Sequence, residues 1–383
     1  LYVAPQNIFA ALPVLLLWLL SPLFAWWLSK SQVYKTVTLS NEKKEFLYQI
    51  SRKTWAYFED FVCAQQNWLP PDNYQIQPRK VLANRTSPTN IGLALLSGLS
   101  AYDFGYTSPN ALVESYHKTF ATLNILDRFR GHFYNWYDTV SLVPLEPRYI
   151  SMVDSGNLIG SLITLKQGLL EIKDARIFSE NFYLGLKDTI SVAKSVYEKK
   201  AADGFNNIER VNVGFITKAP SGLHETVNAL EMLLSEAKSL KENEALKQNG
   251  EGMSWIDKIE SQIGLMLADF NVLTPWSKHL PVRPGFAELE KLNVIPSYNQ
   301  IDDYHNTIIP QIEEALKNAN GDANTAWLNR ILGDVKLGNR NALRQLSTIE
   351  QLVNECDGFA DVDYSFIYDK AKHLFHIGYN VTD

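Results

Sequence analysis

Apolar positions recur along most of this chain at intervals of three and four, the spacing that lines one face of an α-helix. Leu158, Leu162, Leu165, Leu169 and Ile172 form one such stripe, and Leu223, Val227, Leu230 and Leu234 form another. Leu112, Tyr116, Phe120 and Leu123 keep the same spacing. Leu47, Ile50, Tyr57, Phe58 and Phe61 place one face on a helix from about Asn41 to Val62. These stripes predict core and carry no functional claim. Ser87-Pro88 and Ser108-Pro109 each join a capping hydroxyl to a proline at the first helical position, where its missing N–H has no partner to lose. Strand-like patterning is nearly confined to one β-hairpin, from Phe366-Ile367-Tyr368-Asp369 through Lys370–Lys372 to Leu374-Phe375-His376-Ile377-Gly378-Tyr379. The expectation is an all-α architecture of helical hairpins.

Ile8–Leu28 departs from that pattern by being apolar on every side, without one charged residue. About 20 apolar residues cross a hydrocarbon core, and Pro13 and Pro22 are tolerated in membrane helices. Trp26 and Trp27 stand where an interfacial aromatic belt would be. Lys30 and Lys35 follow the segment and no basic residue precedes it, which places the rest of the chain in the cytoplasm. The expected organisation is a transmembrane helix with its flank over residues 1–31, contacting lipid through 8–28, and a domain over 38–383. A cleaved signal peptide is the competing reading; it would need a basic flank in front and a shorter apolar stretch.

The net charge of −6 and the lack of a dense Lys/Arg run argue against nucleic acid as a partner. Cys63 and Cys356 share no metal-type spacing with a histidine, so neither a zinc site nor a disulfide framework is expected, and a reducing compartment fits. No glycine-rich phosphate loop is present.

The loops carry the chemistry. Asn67–Arg85 is proline-rich, Phe129–Val153 is long and aromatic, and Leu240–Gly252 is polar, like a solvated linker. In Arg128 to Asp138, Phe129, Phe133, Tyr134, Trp136 and Tyr137 alternate with Arg, His, Asn and Asp, and no regular period would bury all of those rings together. Flat rings stack on pyranose faces, while carboxylates, amides and guanidinium groups hold hydroxyls. The stretch reads as one wall of a carbohydrate site, with an aromatic satellite core as the bland alternative. Asp72, Asp138, Glu146 and Asp154 are the loop carboxylates. Asp72 follows two prolines and equally suits a turn. Asp154 equally suits a helix N-cap. Asp138 has the weakest structural explanation and is the best candidate for substrate contact.

Trp68-Leu69-Pro70-Pro71-Asp72-Asn73, Arg85-Thr86-Ser87-Pro88-Thr89-Asn90-Ile91-Gly92-Leu93, Arg128 to Asp138 and Val153-Asp154-Ser155-Gly156-Asn157-Leu158 resemble the central region of bacterial cyclic β-1,2-glucan synthases. Tyr368-Asp369 to Leu374-Phe375-His376-Ile377-Gly378-Tyr379-Asn380 also resembles it, as does the apolar segment ending Trp26-Trp27-Leu28-Ser29. The likeness runs over essentially the whole chain and is weakest from Thr217 to Gln351.

The resemblance implies a large enzyme of the bacterial inner membrane. Its glycosyltransferase domain elongates β-1,2-glucan from UDP-glucose, with a divalent metal belonging to that domain. Its glucoamylase-like (α/α)6 barrel closes the glucan into a ring by retaining transglycosylation, and a phosphorylase-like domain trims chain length. This chain would hold the last membrane span of the transferase part and the N-terminal portion of the barrel, with a helical insertion around 217–351. Twelve helices make such a barrel and the pattern supplies nine or ten, so an incomplete barrel is expected. The resemblance puts the catalytic carboxylates beyond Asp383, leaving no catalytic assignment here. It implies no metal or cofactor for this domain and a substrate-binding wall of Trp68, Asp72, Arg85, Asn90, Arg130, His132, Tyr134, Trp136, Asp138 and Asp154, with Trp136 as stacking platform. β-1,2-glucan and the rest of its own polypeptide are the implied partners. An endo-β-1,2-glucanase-like hydrolase and a non-catalytic, membrane-tethered glycan-binding scaffold are the alternatives.

Overall fold

The computed structural model describes residues 8–30, 38–319 and 321–382. The chain divides into two compact units, Leu1–Lys44 and Glu45–Asp383. In the first, α1 (Ile8–Ser29) contains both prolines, and its apolar stretch Ala11–Ser29 is nowhere buried. Its length and composition are enough to cross a membrane. The Lys30 ammonium sits 3.8 Å from the centroid of the Trp26 ring.

The second unit is helical, as the periodicity predicts. After α2 (Asn41–Phe61) come α3 (Pro88–Asp103), α4 (Pro109–Ile125), α5 (Met152–Asp174), α6 (Asn181–Ser195), the single turn α7 (Lys199–Ala202) and α8 (Asn206–Thr217). α9 (Leu223–Glu242), α10 (Gly250–Leu273), α11 (Tyr298–Asn318) and the long α12 (Asp322–Ala360) follow. α12 lies along α11, α5 and α4, so the helices of 217–351 share one continuous apolar core with those before them. Ser87 and Ser108 cap α3 and α4, accepting from the N–H groups of Asn90 and Ala111, with proline first in each helix. Every residue of the Leu158–Ile172 stripe is buried, as are Leu112, Tyr116, Phe120 and Leu123. The polar linker between α9 and α10 is anchored by the fully buried Leu246 and by Asn249, whose amide donates to Val196 O at 2.7 Å.

Two expectations change. The apolar stripe of α2 is not its buried seam: Leu47 and Ile50 are exposed, and only Arg52 and Ala56 of this helix are buried. Arg52 sets the packing, because its guanidinium lies between the rings of Tyr106 (5.4 Å) and Trp255 (5.2 Å) and bonds Thr189 Oγ1 and Glu59 Oε2. The buried positions 52 and 56 therefore lie on the side of the helix opposite 47 and 50, given about 100° of rotation per residue.

Strands are also more numerous than the hairpin alone, though each is only two or three residues long. β1 (Tyr74–Gln75) pairs with β2 (Val81–Leu82), β3 (Arg85–Thr86) with β6 (Tyr137–Asp138), and β4 (Arg128–Phe129) with β5 (His132–Phe133). β7 (Tyr149–Ser151) pairs with β10 (Gly378–Asn380), and β8 (Tyr368–Asp369) with β9 (Leu374–Phe375), all antiparallel. Pairs this short show no alternation in sequence. The β8–β9 hairpin is the one foreseen.

Candidate functional site

The site begins where α3 and α5 come together side by side. Gly92 allows the approach, since a Cβ there would lie 2.6 Å from Ser161 Oγ of α5. The first turns of both helices therefore open onto one face, and free N–H groups at helix starts favour negative charge and oxygen-rich ligands. Ser151 caps α5 by accepting from the Asp154 N–H at 3.1 Å, so Asp154 is not the cap and its carboxylate is available to the face.

The ribbon β3–β6 brings the first long loop to the second, with Arg85 opposite Asp138. Arg85 thereby reaches Trp136, its guanidinium carbon 4.7 Å from the ring centroid. The same guanidinium donates from Nε (3.1 Å) and Nη2 (2.9 Å) to Asp72 Oδ2. Asn73 also donates to Oδ2, and Asn90 donates to Oδ1 at 3.2 Å. Asp154 is held as fully: Oδ1 accepts from Thr89 Oγ1 at 2.6 Å, and Thr89 Oγ1 accepts from Asn157 Nδ2 at 3.0 Å. Asn135 joins the two halves when its amide is oriented to satisfy both neighbours. Its nitrogen donates to Asp154 Oδ2 (3.0 Å) and its oxygen accepts from Trp136 Nε1 (3.1 Å).

A continuous polar chain thus runs Asp72–Arg85–Trp136–Asn135–Asp154–Thr89–Asn157. Both carboxylates have both oxygens engaged, so they are fixed anchors whose remaining lone pairs point in set directions. Arg85 remains half-exposed, and its stacking on Trp136 occupies part of the expected ring platform.

Behind this face lies a second layer. β4 and β5 turn at Arg130 and Gly131, both with positive φ (51° and 88°), which suits glycine at the second position. Arg130 pairs with Asp363 at 3.1 Å. His132, 1% exposed, bonds Asp363 O through Nε2 and Ser155 Oγ through Nδ1, both at 3.0 Å. The carbonyl fixes the proton on Nε2, so Ser155 donates to Nδ1. Burial lowers the pKa of His132, against a smaller opposing effect of that carbonyl. Tyr134 is buried too, its N–H donating to Tyr137 Oη at 2.7 Å.

The expected wall therefore divides. Asp72, Arg85, Asn90, Trp136 and Asp154 come together on one face, whereas Arg130, His132 and Tyr134 support it from behind. Asp138 has a structural role that the sequence did not suggest. Its Oδ1 accepts from Val140 N, Ser141 N and Ser141 Oγ, closing the 138–141 turn, and the Ser141 N–H above all lowers its pKa. Trp68 stands elsewhere, beside a separate cavity. Thr89, Asn135, Asn157 and Asp363 were missed as site residues. The three-residue step from Asp154 to Asn157 on one helix face could have flagged Asn157; nothing local marks Asp363. Among the described residues no cluster of three His, Cys, Asp or Glu side chains could hold a metal.

Fold and site define a predominantly helical protein bearing a polar, ring-lined face at the N-termini of two packed helices. Over 168 residues it is 47% identical to the cyclic beta-(1,2)-glucan synthase NdvB of Rhizobium meliloti (strain 1021), which bears out the resemblance seen in the motifs. The match takes in 44% of this chain and 6% of NdvB, so the chain spans a small part of that relative's length. A crystal structure from Bacteroides fragilis NCTC 9343 assigned as a glucoamylase aligns over 46% of this chain and 41% of its own, at 18% identity and a TM-score of 0.30. No family model matches.

Proposed function

We propose that this chain is part of a membrane-bound cyclic β-1,2-glucan synthase, and that its helical unit binds linear β-1,2-glucan for cyclisation by retaining transglycosylation. The observation that carries the reading is the Asp72–Arg85–Trp136–Asn135–Asp154 network. Its members come from four separated motifs, each resembling the synthases, and they meet on one face with glycan-binding chemistry. The identity to NdvB over 168 residues supports the same substrate class. In this reading the unit is the N-terminal portion of an (α/α)6 glucoamylase-like domain, α1 crosses the bacterial inner membrane, and the domain faces the cytoplasm. UDP-glucose and a divalent metal serve the separate transferase domain, and none of the residues described here takes a cofactor role.

In retaining transfer, a carboxylate displaces one part of the glucan at the anomeric carbon while an acid protonates the departing oxygen. A hydroxyl at the other end of the bound chain then displaces the carboxylate, closing the ring and returning the proton. No residue of this chain is assigned to either carboxyl role. Asp72, Asn90, Arg85 and Asp154 hold hydroxyls and fix the path of the chain, which lets its two ends meet. The test is incubation of the full-length protein with linear β-1,2-glucan, followed by mass spectrometry. Products lighter by one water than linear glucans of equal length support the proposal. Only linear products would replace it with a hydrolase, and binding without turnover would replace it with a scaffold.

A further inference from the structure

Trp68 lies away from the network, beside a cavity of about 220 Å³ between α2, α3, α4 and α10. A cavity of about 150 Å³ accommodates benzene, so this one admits a single ring bearing substituents. Trp55, Phe58, Trp68 and Tyr116 supply aromatic lining, with Thr107 and Ser115 among them. Neither the Thr107 nor the Ser115 hydroxyl makes a hydrogen bond among the described residues. Glu59 at the edge is already balanced by Arg52 and Lys258, each at 3.1 Å, so the cavity calls for a neutral ligand.

Trp68 is fixed in place against some resistance. Its φ of 60° is in the left-handed region that bulky residues rarely adopt. The conformation is held by Trp68 N–H donating to Cys63 O and by Thr119 Oγ1 donating to Trp68 O, both at 2.9 Å. An apolar ligand would use the rings and leave the Thr107 and Ser115 hydroxyls unmet. A pyranose answers both demands, with C–H faces for the rings and hydroxyls for the polar groups.

We infer that this cavity is a second carbohydrate site, binding one neutral pyranose ring apart from the network. That the ring is an end unit of β-1,2-glucan rests on the proposed function; the pyranose class does not. The probe is sophorose, the β-1,2-linked glucose disaccharide, titrated into the 383-residue chain in detergent with tryptophan fluorescence as readout, on a Trp136→Phe background. Saturable change is expected. Ser115→Phe, which fills the cavity, should raise Kd at least tenfold, and Thr107→Val, which keeps the shape and deletes a hydroxyl, about three- to tenfold. Circular dichroism checks folding; if Ser115→Phe is unfolded, the more conservative Thr107→Val decides. An unchanged Kd in folded variants, no saturable response, or a response to phenol but not to sophorose would overturn the site. Cyclic products from the full-length protein report on the proposed function independently, so either reading can fail while the other stands.

Discussion

Arg85 and Trp136 are stacked, guanidinium over indole at 4.7 Å, while Arg85 also grips Asp72 with two nitrogens. A planar fork is required for both contacts at once, and a lysine ammonium supplies neither the stack nor the two-point grip. On the proposed function, Arg85→Lys should therefore slow ring formation by the full-length protein about tenfold with little loss of folded protein. Trp136→Ala, which also frees Asn135, should cost at least as much. Rates of cyclic product formation, read by mass spectrometry, check both.

Asp138 gives the opposite expectation. Its bonds to Val140 and Ser141 need only an acceptor oxygen, which asparagine keeps. Asp138→Asn should be close to wild type in ring formation, whereas Asp138→Ala should cost about 1 kcal/mol of stability through the opened turn. Denaturant melts of the two variants would show the difference.

Arg52 is fully buried, and its Nη1 has no hydrogen-bond partner among the described residues. Its pairing with Glu59 and its two flanking rings make it the seam of α2. Arg52→Ala should destabilise the unit by about 2–5 kcal/mol, chiefly through the space it leaves between the rings and the lost bond to Thr189, since Lys258 still faces Glu59. A thermal melt lowered by less than a few degrees would contradict this packing.

Asp269 is buried beside the start of α4, where its Oδ2 accepts from the Asn110 N–H at 2.9 Å. Burial raises its pKa from 3.8 to about 7, despite that bond and one from Ser108. The folded state thus holds a proton that the unfolded chain releases near 3.8. Stability should fall as pH rises through this window, by on the order of 4 kcal/mol if this group acted alone. Asp269→Asn should flatten that slope, as chemical denaturation at pH 4.5 and 7.5 would reveal.

His132 acts with the other sign. Its folded pKa lies below 6.5 because burial disfavours the cation, so the unfolded chain takes up the proton first as pH falls. Its stabilising effect is complete above 6.5 and is lost on acidification below that value. Imidazole NMR titration should place its midpoint below 6.5, and His132→Gln should weaken the acid limb of the stability profile.

The helices were legible because burial on one side imposes a 3.6-residue period. Ser87 and Ser108 were legible because capping is local chemistry. α2 was misread because its seam is made by a charged residue: Arg52 is buried between Tyr106 and Trp255, and no hydropathy pattern marks an arginine as core. The motifs likewise showed which segments carry the site, but not which residues face outward. His132 and Trp136 look alike in sequence, and partners far along the chain, Ser155 Oγ and the Asp363 carbonyl, turn His132 inward. The turn role of Asp138 was not legible for a related reason, since the partners of its Oδ1 are two and three residues ahead of it.

The ribbon β7–β10 joins Tyr149–Ser151, the lead-in to α5, to Gly378–Asn380, with Asn380 opposite Tyr149. Such a pairing closes an enormous loop and is entropically slow to form compared with neighbouring helices. It also sits beside the Ser151 cap and the contact of Asp363 with His132. During translation the residues of the polar face emerge early, yet the strand that braces them emerges more than two hundred residues later. The polar face is therefore among the last parts of this unit to become rigid on the ribosome, and a nascent chain halted before β10 would carry every residue of the network without its bracing.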